Sequence, residues 1–189
     1  MAEVQEAPSR PSVLLVCTGN LCRSPLAEAM LRRGLDQAGI EADVGSAGIA
    51  APSGAMPDAK LQRVAEEHGV DVSGHRSRHL LAQHVTAADL VLVMTRAQAK
   101  QVLEIDPSAQ GRVVTLRAAA WKAPVVPSRS TPFSAWARSL TADVPEAERT
   151  WSSSHDIADP IGRPLRRYRQ MAVEVQTSID ALVRHWPTW

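Results

Sequence analysis

Two cysteines in 189 residues are too few for the disulfide framework of a secreted domain. A reducing, cytoplasmic compartment is the expectation. No run approaches the ~20 apolar residues of a membrane-spanning helix. The first residues carry Glu3, Glu6, Pro8 and Pro11 and no apolar core. They read as neither signal peptide nor anchor but as a flexible tail over residues 1–11. Charge of one sign is also missing: 21 Lys and Arg face 20 Asp and Glu, for a net +1. That balance argues against a global pull on nucleic acid or acidic membranes, so any preference for anions has to arise at one local site. Apart from His75, the histidines have no metal-ligand spacing to a cysteine or carboxylate. Neither a metal nor another cofactor is expected.

Short apolar runs alternate with helix-like stretches. Strands are predicted at 13–16, 42–46, 90–94 and 113–116. Helices are predicted at 26–38, 58–68, 96–105 and 165–185, the last with Met171, Val175, Ile179 and Leu182 at helical spacing. This order predicts an α/β chain: a single domain over 12–189 with a four-stranded parallel open sheet and helices on both faces. Such sheets bind ligands beyond the carboxyl ends of their strands, and Cys17 ends the first one.

The segment after that strand reads Cys17, Thr18, Gly19, Asn20, Leu21, Cys22, Arg23, Ser24. A loop entering a helix points backbone N–H groups at one spot, which suits an anion and stabilises a thiolate. Arg23 adds a planar fork that matches phosphate oxygens in pairs. Gly19 permits a tight loop, Asn20 tolerates left-handed dihedrals, Ser24 reads as a helix cap, and Pro25 suits a first helical turn. A nucleophile and an oxyanion cradle in one segment are the means for hydrolysing a phosphate ester through a cysteinyl-phosphate. Cys17 and Arg23 are the candidate catalytic residues, and Thr18 to Ser24 the candidate phosphate binders.

This loop, with Val16 before it and Pro25 after it, resembles that of the low-molecular-weight protein tyrosine phosphatases. The resemblance continues through Ser46-Ala47-Gly48, the stretch from Val70 through His75 to Arg78, the run from Ala88 to Thr95, and Asp156-Ile157-Ala158-Asp159-Pro160. It implies a phosphatase acting on phosphotyrosine in proteins, without a cofactor, inhibited by phosphate-like oxyanions, as a monomer or weak dimer. It makes Asp159 the general acid and later the base that activates water, with Asp156 the competing carboxylate. It puts Asn20, Ser24, Ser46 and His75 into a hydrogen-bond network behind the loop, Ser24 donating to the Cys17 thiolate. It also implies a reversible disulfide between Cys17 and Cys22.

Three departures bear on the substrate. After Asp159-Pro160 the family normally supplies aromatic residues, whereas this chain continues Ile161-Gly162-Arg163. The loop from Ile49 to Ser53 has no Trp or Tyr. Residues 117–154 lengthen a connection that is usually shorter. Within that insertion Phe133, Trp136 and Leu140 fall on one face of a short predicted helix. Two roles fit it: a lid that returns aromatic groups to the site, or a decoration that packs its tryptophans on the domain. Alternative activities on the same scaffold are a protein arginine phosphatase and a thiol-dependent arsenate reductase. Members of the first kind tend to have Thr where this chain has Leu21. The disulfide-shuttling form of the second needs cysteines after Cys22, and none follow. A phosphoprotein-binding module is the non-enzymatic alternative.

Overall fold

A computed structural model describes residues 10–128, 130–142 and 155–187. The four predicted strands form: β1 (Ser12–Cys17), β2 (Asp43–Gly48), β3 (Leu90–Val93) and β4 (Val113–Thr115). They pair in parallel in the order β2-β1-β3-β4. Alternate side chains on β1 enter opposite cores, as a period of two requires. Val13, Leu15 and Cys17 face one apolar cluster, while Leu14 and Val16 face the other. Leu90 and Leu92 follow the first pattern, Val91 and Val93 the second.

The larger cluster lies under α1 (Arg23–Gln37), α2 (Ala59–Glu67), α5 (Leu116–Lys122), α6 (Phe133–Thr141) and α7 (Leu165–Arg184). The smaller one is covered by α3 (Ala82–Thr86) and α4 (Arg96–Ile105). In α7, Met171, Val175, Ile179 and Leu182 are all buried, so its predicted stripe is the face that packs on the sheet layer.

Three expectations need correction, and one choice left open is decided. Helix α1 begins at Arg23 rather than 26, and its N-cap is Cys22 with no side-chain cap bond; Ser24 lies inside the helix and caps nothing. Strand β2 runs on through Ala47 and Gly48 instead of stopping at Ser46, because Val16 and Cys17 of β1 continue the ladder opposite. The run from 117 opens in a helix, not a loop: the Thr115 hydroxyl accepts from the Ala118 amide and starts α5. The helix at 133 is present as α6, but as a decoration and not a lid. Phe133 and Trp136 are buried with Trp186, ring centroids 5.1–5.6 Å apart. Trp151 lies outside the described residues. On α5, Trp121 is 63% exposed and stands 6.0 Å from the ring of His155.

Candidate active site

Strand β1 delivers Cys17 to the carboxyl edge of the sheet, and the chain turns at once into α1. Asn20 makes that turn with a φ of 50°, the left-handed region its short amide side chain tolerates. The Cys17 sulfur is buried. It receives the Asn20 amide at 3.2 Å, and the Ser24 hydroxyl lies 3.0 Å away. The loop carbonyls are spoken for as well: Ile49 N reaches Cys17 O at 3.0 Å, Ala50 N reaches Thr18 O at 2.9 Å, and Asp58 N reaches Leu21 O at 3.0 Å.

Asn20 is fully buried and joins four segments. Its Nδ2 donates to Ser24 Oγ at 3.0 Å and Ser46 Oγ at 2.8 Å. Its Oδ1 accepts the Arg78 amide at 3.0 Å, and its carbonyl accepts His75 Nε2 at 3.0 Å. The structure thus brings together Asn20, Ser24, Ser46 and His75. Three further residues belong to the same assembly and were not singled out in the sequence. Glu28 accepts the Ser46 hydroxyl at 2.6 Å. Arg78 Nε donates to Ser46 O at 2.6 Å. Gln98, buried in the first turn of α4, donates to Thr18 Oγ1 at 3.0 Å and accepts the Met94 and Thr95 amides. Glu28 carried a faint signal, four residues after Ser24 on the same helical face.

Gly48 sits where the β2 backbone passes under the loop. A methyl group there would come within 2.7 Å of Asn20 N and of Thr18 O. The tripeptide needs glycine for close approach, not for an unusual dihedral.

Arg23 is buried, 4% exposed in its side chain. One arm of its fork donates to Ile157 O at 3.2 Å and the other to Asp159 Oδ2 at 2.5 Å. The structure therefore separates the two candidate carboxylates. Asp156 faces away and accepts the Arg96 amide at 3.0 Å, which anchors its loop to α4. Asp159 faces Arg23 and is 42% exposed. Its other oxygen accepts the Ile161 amide at 3.2 Å. Leu21 is half-buried and Ile161 exposed, so the mouth has aliphatic edges.

Cys17 and Cys22 are both free and buried. Burial first, and then the neighbouring Cys17, push the Cys22 thiol well above the ordinary thiol range. Cys22 stays protonated at neutral pH and packs as a small hydrophobe at the head of α1. Among the described residues no three His, Cys, Asp or Glu side chains gather as metal ligands do, and no helix is long and apolar enough to cross a membrane.

The arrangement suits one kind of chemistry. A buried cysteine sulfur accepts an amide of the loop that enters α1, and the buried guanidinium at the loop's end pairs with a half-exposed carboxyl from the 155–161 segment. Comparison with known proteins points the same way. Residues 12–123 match the family described as low molecular weight phosphotyrosine protein phosphatase. The probable low molecular weight protein-tyrosine-phosphatase EpsP of Ralstonia nicotianae is 41% identical over 91% of this chain and 93% of its own length. A protein-arginine-phosphatase of Geobacillus stearothermophilus is 31% identical over 93% of this chain and 96% of its own. The crystal structure of the tyrosine phosphatase AmsI of Erwinia amylovora superposes with a TM-score of 0.71 at 25% identity, covering 95% of each chain.

Proposed function

Because this chain belongs to the low molecular weight phosphotyrosine protein phosphatase family, we propose that it hydrolyses phosphotyrosine in proteins through a cysteinyl-phosphate on Cys17. The observation that carries the assignment of residues is the Cys17 sulfur itself. It is buried at the carboxyl end of β1, with the Asn20 amide and Ser24 hydroxyl on it and the Arg23–Asp159 pair across the loop.

The Cys17 thiolate attacks phosphorus and the bond to the tyrosine oxygen breaks. Asp159, in its acid form, gives that oxygen its proton, so tyrosine leaves neutral. Amides of residues 18–24 and the Arg23 fork hold the three remaining oxygens, which take up charge in the transition state. Water then attacks the cysteinyl-phosphate while Asp159 takes a proton from it. Inorganic phosphate departs and the thiolate is restored, with Ser24 donating to it. The Asn20 side chain, Ser46 and His75 hold the loop in place and touch no reacting atom.

In this reading residues 12–189 are one phosphatase domain, and phosphate-like oxyanions compete with substrate for the loop. A thiolate nucleophile works in a reducing compartment, which agrees with a cytoplasmic location. Of the two free cysteines, Cys22 is the less reactive, because burial raises its thiol pKa; in a reversible disulfide Cys17 is the sulfur oxidised first.

The test is a panel of phosphotyrosine, phosphoarginine and phosphoserine peptides against the wild-type chain and Cys17→Ser. Phosphotyrosine should be the substrate turned over, with Cys17→Ser inactive and a phosphate adduct trapped on Cys17 by rapid acid quench. Full activity in Cys17→Ser sinks the mechanism. The second reading, an arginine phosphatase, is favoured by the 31% identity to such an enzyme along nearly the whole chain. The branched apolar Leu21 at the mouth suits an aryl ring better than a phosphoguanidinium, and preferential release of phosphate from phosphoarginine would reverse that judgement.

A further inference from the structure

Beyond Asp159 the surface opens into a groove of about 480 Å³ whose lining includes Pro160, Arg163, Arg166, Arg167 and Glu174. Its charges are unequal in a specific way. Both carboxylates on it are engaged: Asp159 by Arg23 at 2.5 Å, Glu174 by Arg117 at 3.9 Å. None of the three arginines pairs with a carboxylate among the described residues. Arg167 donates to the neutral amide of Gln170 at 2.8 Å. The turn that carries Arg163 is fixed: its amide donates to Pro160 O at 2.8 Å, and its carbonyl accepts Lys60 Nζ at 2.9 Å, which adds a fourth cation at that edge. Buried Pro160 and Met171 give the groove an apolar floor.

The chain as a whole is nearly neutral, so this cationic strip is a local concentration and not a general basicity. It is continuous with Asp159, the residue that meets the leaving tyrosine. An extended peptide advances roughly 3.3 Å per residue, so the first few residues beside a bound phosphotyrosine reach it. Guanidinium forks pair with carboxylates in two parallel hydrogen bonds, and three unpaired forks over an apolar floor match an acidic segment.

We propose that Arg163, Arg166 and Arg167 form a docking groove for acidic residues flanking the phosphotyrosine of the protein substrate. This rests on the phosphotyrosine reading of the Cys17 site. It also gives a reason why the chain manages without the aromatic wall: recognition moves from the ring to the charge of its neighbours.

The test compares three phosphotyrosine peptides that differ only in flanking residues: acidic, alanine or lysine on both sides. At about 50 mM salt, kcat/KM should fall in that order, the acidic peptide about tenfold above the alanine one. The ratio should approach one at about 500 mM salt, where screening is strong. In R163Q/R166Q/R167Q it should be near one at low salt. Equal turnover of acidic and alanine peptides by the wild type overturns the groove, and so does a triple variant that keeps the preference. Turnover of p-nitrophenyl phosphate with none of the three peptides overturns the phosphotyrosine reading beneath it. Circular dichroism checks the triple variant's fold; R167Q alone and the wild-type salt series decide the matter if the triple variant is unfolded.

Discussion

The loop over residues 17–24 and the loop over residues 155–161 line one site and are held in opposite ways. In the first, Asn20 is fully buried and ties loop, helix, β2 and the 75–78 turn together. In the second, the near end is tied to β3 and α4, by Asp156 on Arg96 and by Ile157 N on Met94 O at 2.8 Å, and the far end to its own turn, by Arg163 N on Pro160 O. The far end, with Asp159 at 42% and Ile161 at 44% exposed, is set mainly by its contact with Arg23. A nucleophile and its oxyanion cradle gain from being fixed before substrate arrives, because reorganisation then costs nothing during the reaction. In the proposed mechanism Asp159 serves a leaving group and later a water, and an acid with two such tasks gains from a freer arm.

The sharpest way to separate the two loops is to remove the acid while sparing the cradle. Asp159→Asn should lower kcat on phosphotyrosine peptides by about 10² to 10⁴-fold, with KM and oxyanion inhibition little changed. Steady-state assay and phosphate competition read this directly; a loss of oxyanion binding as large as the loss of kcat would show that Asp159 holds the cradle too. Asn20→Ala strikes the other loop. It removes three side-chain hydrogen bonds and leaves a left-handed φ under a β-carbon, so it should cost about 3 kcal/mol in denaturant unfolding and weaken oxyanion binding. Gly48→Ala presses on the same loop from below and should cost about 2 kcal/mol, with turnover falling alongside. Asp156→Asn touches only the anchored end of the acid loop. It keeps an acceptor for the Arg96 amide, so kcat should drop no more than about threefold.

A background for these comparisons comes from Asp106, remote from both loops. Hydrogen bonds, first from the Ser108 side chain and also from Thr86, hold its carboxyl below the usual carboxylate range. Its contribution is present at neutral pH and is lost as pH falls through the lowered folded-state value. Asp106→Asn should therefore flatten the decline of Tm below about pH 4 and leave turnover at pH 7 unchanged.

How much of this was legible in the chain depends on whether the partners are neighbours in sequence. The four strands and the β1–loop–α1 turn are written in contiguous residues: apolar runs, a glycine, an asparagine that accepts positive φ. The helix-cap reading of Ser24 failed while the family resemblance pointed to Cys17, because one hydroxyl can serve either a helix end or a sulfur, and local pattern alone does not say which partner wins. Cys17 and Asn20 won it. Glu28, Arg78 and Gln98 acquire their roles only when β2, the 75–78 turn and α4 converge on the loop, and no spacing rule connects them. Helix α6 was readable from Phe133, Trp136 and Leu140, but its destination was not, because Trp186 comes from the end of α7. Helix α5 was missed although Thr115 precedes a run of strong helix formers; the family's usual loop length overrode the residues present.

The fourfold attachment of Asn20 has a consequence for how the molecule opens. A loop that can fray by itself exchanges its amide protons quickly, without help from the rest of the chain. Here the amides of Asn20 and Arg78 are held by Cys17 Sγ and by the Asn20 side chain. Releasing them means detaching β2 and α1 from the loop as well. Their deuterium uptake should follow that of the central strands, so the catalytic loop and the sheet melt as one cooperative unit.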